Sequence, residues 1–149
     1  MDQPPLLDHV GWRLWEACRL WESRFEREMA AAGHAWFAEA RAALVPHIAR
    51  EGTRQAELVQ RTRLSKQAVQ QLVDALVADG IVERRPDPDD ARARLVTFTR
   101  RGLRVLADAN EVKARIERDY ERRLGKANFT ALKSALDTVV ALGVPDVER

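Results

Sequence analysis

The sequence predicts a mainly α-helical protein with one small β-hairpin. Long segments at both ends carry apolar residues at steps of three and four, the spacing of one face of a helix. Two short helical segments stand close together in the middle of the chain, and two short segments of strand composition follow them. A chain of 149 residues, of which 46% are hydrophobic and 32% charged, is long enough to form one compact domain.

The first helical pattern runs from about residue 6 to residue 32. Its apolar stripe consists of Leu7, Val10, Leu14, Cys18, Trp21 and Phe25. A helix of roughly 25 residues is about 38 Å long, which is more than a domain of this size needs to cover its own core. We therefore expect this helix to be shared with a partner subunit; the alternative is an ordinary core helix.

Further helices are expected on either side of the middle segment. One runs from about residue 35 to residue 49, where Pro46 should kink it or end it early because proline cannot donate a backbone hydrogen bond. Thr99 is placed to cap a long helix at 100–124, and a last helix is expected at 128–142, after Gly125.

The middle of the chain has the order of a winged helix-turn-helix domain. Helical segments at 56–62 and 65–79 are separated by only two residues. Ser65 is a good N-cap for the second segment, and Gly80 stands where a left-handed residue ends a helix. Short strands are expected at 81–85 and 92–98, joined by the tip PDPDDA. The predicted fold is thus a winged helix-turn-helix domain flanked by long helices.

The second of these short helices has the composition of a recognition helix. Its apolar stripe is Val69, Leu72, Val73 and Leu76, and its opposite face shows Lys66, Gln67, Gln70, Gln71 and Asp74. Glutamine amides can form two hydrogen bonds to an adenine edge, and lysine can reach guanine or phosphate. A plain amphipathic surface helix is the alternative, but the position between a short helix and a hairpin favours DNA contact.

The hairpin would be the wing. Arg92 and Arg94 share one face of its second strand, since successive strand residues point to opposite faces. Arginine is favoured in a narrow minor groove, where the negative potential is concentrated. We expect Asp90 to hold the Arg92 guanidinium in a bidentate pair, and the other aspartates and the prolines to favour the turn. For Arg94, a solvated or internally paired charge is an equal alternative.

The run from Ala56 to Gly102 resembles the DNA-binding core of the MarR (multiple antibiotic resistance regulator) family of bacterial transcription factors. The motifs LSKQAVQQLVDAL, DGIVERR, PDPDDAR and TFTRRG carry the resemblance, in that order and spacing. Three departures stand out. Val59 replaces a small alanine that is often found where the two short helices touch, so that their packing would be shifted. Ala91 replaces a common arginine, so that one phosphate contact is absent, and Arg63 replaces the turn glycine, at a cost of about 1 kcal/mol if its backbone is left-handed.

The resemblance implies a homodimer that binds double-stranded DNA. Dimerisation helices at 1–34 and 100–149 would flank a winged domain at 35–99, and two recognition helices would meet successive major grooves of a pseudo-palindromic operator. Most regulators of this family are repressors. The DNA-binding set is Ser65, Lys66, Gln67, Gln70, Gln71, Arg92 and Arg94, with Asp90 as the residue that orients the wing.

The resemblance also suggests a small aromatic or anionic effector. Trp12, Trp15, Trp36 and His47 are the residues that would line its pocket, although aromatic residues at helical spacing more often belong to a core. Cys18 would be a redox sensor in a thiol-based regulator, but its place on the apolar stripe favours a packing cysteine.

Other classes of protein are disfavoured. One cysteine allows no intrachain disulfide, and no signal peptide, membrane span, cofactor fingerprint, paired metal ligands or catalytic set is evident. We therefore expect a cytoplasmic protein that is not an enzyme. The segment from Arg50 to Arg104 holds twelve Arg or Lys against eight Asp or Glu, a net charge of +4 in a chain of +2, so that the rest carries −2. This basic middle speaks against the main alternative, a winged protein-interaction module.

Overall fold

The structure, a computed structural model, describes residues 8–143. Its elements in chain order are α1 (Val10–Ala31), two 3₁₀ helices (Ala35–Ala38 and Ala40–His47), β1 (Thr53–Arg54), α2 (Gln55–Thr62), α3 (Lys66–Ala78), β2 (Val82–Asp87), β3 (Asp90–Phe98), α4 (Arg100–Leu124) and α5 (Lys126–Leu142). The predicted fold class is confirmed. The parts of the predicted terminal segments that fall on 1–7 and 144–149 lie outside the described residues.

The chain divides into two compact units. The first extends to Asn110 and contains everything from α1 to the start of α4, and the second begins at Glu111 and contains the rest of α4 and α5. This boundary inside α4 differs from the predicted division at 34 and 99, which stays a prediction.

α3 supplies the centre of the core of the first unit. Val69, Val73 and Leu76 are fully buried, as their spacing predicts, and the helix packs against α2, β2 and the second 3₁₀ helix. Leu72, the fourth residue of the predicted stripe, is half-buried. Further fully or almost fully buried side chains in this unit are Met29, Leu44, Leu58, Ile81, Val82 and Val96.

The segment predicted as one helix at 35–49 forms two 3₁₀ helices instead. They meet at Glu39, whose backbone is extended (φ −101°, ψ 157°). Pro46 lies inside the second 3₁₀ helix, which ends at His47, so the expected early end is observed. The prediction was wrong about the helix type because fewer than two turns separate Glu39 from Pro46, too short a stretch for a stable α-helix.

α1 and α5 expose much of their apolar surface in the chain. Only Met29 is buried on α1, while Trp12 and Trp15 are 59% and 53% exposed. α5 has no buried residue, and its exposed apolar side chains are Leu132, Leu136, Val139, Val140 and Leu142. These two faces are therefore free for contact with another molecule, as the prediction of shared helices requires.

A three-stranded antiparallel sheet has the order β1-β3-β2. The hairpin of β2 and β3 was predicted, but both strands reach further toward the tip than expected, so that Asp87 pairs with Asp90 across a two-residue turn. β1 was not predicted. It pairs Thr53 with Val96 and Arg54 with Leu95, and thereby places Arg54 beside the wing.

Arg63 forms the left-handed turn between α2 and α3. Its φ of 56° makes it the one non-glycine residue with a positive φ among residues 8–143. Its backbone N–H donates to the Val59 carbonyl at 3.1 Å and so ends α2. Because the backbone of Arg63 is left-handed, the absence of glycine at this turn costs about 1 kcal/mol of stability.

Thr99 and Gly102 join the base of the hairpin to α4. The Thr99 hydroxyl accepts from the Gly102 N–H at 3.0 Å, which is the predicted cap, and donates to the Gly80 carbonyl at 2.5 Å. A Cβ on Gly102 would lie 2.1 Å from the Ile81 carbonyl oxygen. Only glycine allows α4 to approach the backbone that leads into β2 so closely.

Replacement of Gly102 by alanine should therefore destabilise the protein. Because the clashing atom belongs to the backbone, we expect a loss of about 1–3 kcal/mol in the free energy of unfolding, measured by urea denaturation. Gly143→Ala is the matched control, since its Cβ would meet nothing closer than 3.6 Å. Equal stability of the two variants would contradict the close approach.

Candidate nucleic-acid interface

The predicted recognition residues lie together on the exposed face of α3. The Ser65 Oγ accepts from the Ala68 N–H at 3.1 Å, so that α3 begins at Lys66 as expected. Since the inner face of α3 is buried, the opposite face is turned to solvent. Its exposed residues are Lys66, Gln67, Gln70, Gln71 and Asp74.

Gln70 is held in place by its neighbours. Its Nε2 donates to the two carboxylate oxygens of Asp74 at 3.0 and 3.1 Å, and its Oε1 accepts from the Gln55 Nε2 at 2.5 Å. Arg84 of β2 donates to the Asp74 carboxylate at 2.7 Å and to the Gln55 Oε1 at 3.5 Å. The Arg84 guanidinium, and next the Gln70 amide, lower the pKa of Asp74.

Sequence reasoning missed Gln55 and Arg84. The sequence predicts Gln55 just before a helix and Arg84 inside a strand, and no local pattern indicates that the two meet Asp74. The only available signal was the i, i+4 spacing of Gln70 and Asp74, a pair that can form a hydrogen bond on a helix surface.

Arg92 and Arg94 are both exposed on β3, and neither forms an ion pair with any part of the chain between residues 8 and 143. Arg94 is thus solvated and not paired within these residues, and its contact with DNA stays a prediction. The expected pair between Asp90 and the Arg92 guanidinium was wrong. The Asp90 carboxylate accepts from the backbone N–H of Arg92 at 3.0 Å instead, a contact that a short aspartate side chain reaches more easily.

Asp87 anchors the tip of the wing. It is only 5% exposed; its Oδ1 accepts from the Asp89 backbone N–H at 2.9 Å, and its Oδ2 from the Arg54 Nε at 2.5 Å. These two contacts, the backbone bond first, lower the pKa of Asp87 against the opposing effect of burial. Asp87 therefore holds the turn, as expected for the tip, and also ties it to β1, which sequence analysis did not foresee.

Cys18 is exposed on α1, so its prediction as a buried packing residue was wrong for the single chain. The physical reason is that the described chain covers only part of the apolar stripe of α1: Trp21 and Phe25 are half-buried, whereas Val10 is exposed. Partial desolvation, and next the negative charge of Glu22, raise the pKa of the thiol. A raised pKa lowers the thiolate fraction at neutral pH, which disfavours the redox-sensing alternative.

The four residues of the predicted effector pocket have different nearest neighbours, and their use as one pocket stays a prediction. The rings of Trp12 and Trp15 lie 4.9 Å apart, whereas Trp36 contacts Phe37, with ring centroids 4.3 Å apart. The carbonyl of His47 accepts from Arg61 at 2.9 Å.

A cavity of about 510 Å³ lies elsewhere in the first unit. It is lined by His34, Arg101, Arg104, Val105, Ala107 and Asp108. The His34 Nε2 lies 2.7 Å from an Asp108 carboxylate oxygen at its edge. Within residues 8–143, no group of three or more His, Cys, Asp or Glu side chains could hold a metal ion, and none of the helices found there has the length and apolar character needed to cross a membrane.

The Asp87 contacts predict how stability depends on pH. A carboxyl whose pKa is lowered by folding stabilises the protein above its unfolded pKa, about 3.9, and this contribution is lost as the pH falls through the lower folded value. Asp87→Asn should lower the thermal unfolding midpoint at pH 7 and reduce its fall between pH 5 and pH 2. The exposed Asp89→Asn is the control, and identical pH profiles for the two variants would contradict the anchor.

Comparison with known proteins agrees with this arrangement. A family model described as "MarR family" matches residues 42–93, which include β1, α2, α3 and β2. No curated protein matches the chain significantly. Among solved structures, a transcriptional regulator from Thermotoga maritima is 25% identical, with a TM-score of 0.64 over 89% of this chain and 92% of that one.

Two similar structures contain DNA. The transcriptional repressor CouR, bound to a 23-mer duplex, is 25% identical, with a TM-score of 0.69 over 89% of this chain and 92% of the other. A cysteine-to-serine variant of MarR from E. coli, in complex with operator DNA, is 20% identical, with a TM-score of 0.68 over 87% and 92%. The chain thus resembles proteins of the MarR family, in the sequence of its winged segment and in its fold over most of its length.

Proposed function

We propose that this protein is a sequence-specific DNA-binding transcriptional regulator, a repressor that acts as a homodimer on a pseudo-palindromic operator. The observation that carries the proposal is the single exposed surface formed by Lys66, Gln67, Gln70 and Gln71 of α3. Such a helix fits the major groove, and Lys and Gln are side chains that recognise base edges there. The CouR and E. coli MarR structures, which contain DNA, support the same use of the fold.

The wing adds two cations to this surface. Arg92 and Arg94 share a face of β3 and are exposed, so both are available to phosphate or to a minor groove. Because they form no ion pair within the described residues, binding to DNA would not require an internal salt bridge to break. This supports a binding role for both arginines.

The homodimer is supported by the exposed faces of α1 and α5. Large apolar side chains are uncovered on each helix, with Val10 of α1 68% exposed and Val140 of α5 69% exposed. A monomer that leaves such faces in water is unfavourable, and a second copy of the chain would cover them. The two recognition helices would then be presented to one operator at a fixed spacing.

Release by a small aromatic or anionic effector is part of the proposal. The cavity beside Arg101 and Arg104 is a better candidate for an anionic molecule than the four residues chosen from the sequence, since two guanidinium groups line it.

Selection from a pool of random duplexes at about 0.15 M salt tests the function directly. We expect enrichment of a two-fold symmetric motif whose half-sites lie about one helical turn apart. A folded dimer that enriches no sequence would contradict the proposal and favour the protein-interaction module.

Arg92→Ala should weaken binding to the selected operator by about 1–3 kcal/mol, since a wing contact would be lost. Affinity is measured by fluorescence anisotropy at fixed salt. Arg85→Ala removes the same charge from the other strand of the hairpin, where the arginine already pairs with Glu83, and should cost less. An equal loss in both variants would mean that only the total charge of the wing matters.

Gln70→Ala should change sequence preference rather than general affinity. A bidentate contact contributes about 1–3 kcal/mol of discrimination against a wrong base, so we expect that loss on the selected operator and little change on random DNA. Gln60→Ala, at an exposed position of α2, is the matched control. Equal losses on specific and random DNA would refute base recognition by Gln70.

A further inference from the structure

Four polar side chains form a closed ring of hydrogen bonds at the edge of the α3 surface. Arg84 donates to Asp74 and to Gln55, Gln55 donates to Gln70, and Gln70 donates to Asp74. The ring joins three elements, because Gln55 begins α2, Gln70 and Asp74 lie on α3, and Arg84 lies on β2.

The chemistry of the ring allows one orientation of each carboxamide. Arginine has only donors and a carboxylate only acceptors. The Arg84 N–H therefore requires the Gln55 oxygen, which turns the Gln55 nitrogen toward the Gln70 oxygen. The Gln70 nitrogen is left to face Asp74, whose carboxylate accepts it. A flip of either amide would set two donors or two acceptors against each other.

Gln70 keeps one donor and one acceptor outside the ring. A carboxamide offers two N–H groups and two lone pairs; Asp74 takes one N–H, shared between its two oxygens, and Gln55 occupies one lone pair. One N–H and one lone pair are the pair of groups that complements the N7 and N6–H of adenine in the major groove. The ring thus fixes the order in which this donor and acceptor face DNA.

We propose that Asp74, held by Arg84, is a specificity-determining residue that positions the Gln70 carboxamide for base recognition, with Gln55 as the second support. This inference rests on the proposed function. Asp74 itself is an acceptor and carries a negative charge, so it acts through Gln70 and is not a phosphate contact. A ring formed before DNA arrives also removes the need to order Gln70 during binding.

Asp74→Asn tests the proposal with little change of shape. Asparagine can present either an oxygen or a nitrogen to Gln70, so the amide is free to flip. In selections from random duplexes, we expect the base preference at the position that Gln70→Ala relaxes to fall at least about fivefold. Because loss of a negative charge raises affinity for all DNA, base preference at that position is the readout and not overall affinity.

Asp89→Asn is the matched control, since it removes the same charge from the exposed tip of the wing. It should leave the preference at the Gln70 position unchanged. Gln55→Ala, which removes no charge, should relax that position as Asp74→Asn does, and it serves as the second variant if Asp74→Asn fails to fold.

A double variant separates positioning from a purely structural role. If Asp74 acts through Gln70, Asp74→Asn should have no further effect on base preference in the Gln70→Ala background. An additional effect there, or an unchanged preference in the single Asp74→Asn variant, overturns the positioning role while the proposed function stands.

The side-chain amide resonances of Gln70 in the free protein test the ring without DNA. Asp74→Asn and Gln55→Ala should each shift these resonances, whereas Asp89→Asn should not; unshifted resonances overturn the ring. A wild-type protein that shows the ring by this measurement but selects no DNA motif overturns the proposed function, and base recognition by Gln70 with it.

Discussion

Three fully buried side chains on α3 fix how that helix is rotated about its own axis. Val69, Val73 and Leu76 lie on one face, and burial of such a side chain contributes about 1.5–3 kcal/mol. An exposed ion pair contributes about 0–1 kcal/mol, so the polar contacts of α3 cannot compete with burial for control of the rotation. Burial turns the apolar face of α3 toward the core, and the polar residues on the opposite face are therefore presented to solvent.

The arginines of the winged segment have two different uses. Arg54 and Arg84 are tied to Asp87 and Asp74, and each joins one strand to another element. Arg92 and Arg94 remain exposed on β3. The paired arginines fix the arrangement of the surface, since their charge is already compensated. In the proposed function, the exposed ones would supply the attraction to a polyanion.

Sequence patterns predicted the elements whose ends carry their own chemical signals. α3 starts after the Ser65 cap and is followed by Gly80, and α4 has the predicted bounds because Thr99 caps it and Gly125 ends it. β1 has only two residues, and nothing marks it except its pairing with β3. The Arg54–Asp87 anchor depends on β1, so it could not be predicted either.

The sequence predicted only those features of the candidate site that depend on one helix or one strand alone. Periodicity places Gln70 and Arg92 on exposed faces, but the partners of Gln70 on α2 and β2 are set by tertiary packing. The same limit applies to Cys18 and Trp12. Periodicity indicates an apolar face on α1 but does not say how much of that face the chain covers itself, and residues 8–143 leave Cys18 and Trp12 exposed.

In the proposed function, affinity and specificity would depend on separate parts of one surface. Exposed arginines bind phosphate through a long-range attraction that salt screens, whereas a carboxamide recognises a base only if its donor and acceptor are correctly ordered. The Thr99 hydroxyl bonds the start of α4 to the Gly80 carbonyl, between α3 and β2. This short connection joins α3 directly to β2, the strand that carries Arg84. The wing and α3 are therefore positioned by the same contact. A change that tilts β2 would then disturb the Gln70 ring before it removes any charge from the surface, and specificity would be lost before affinity.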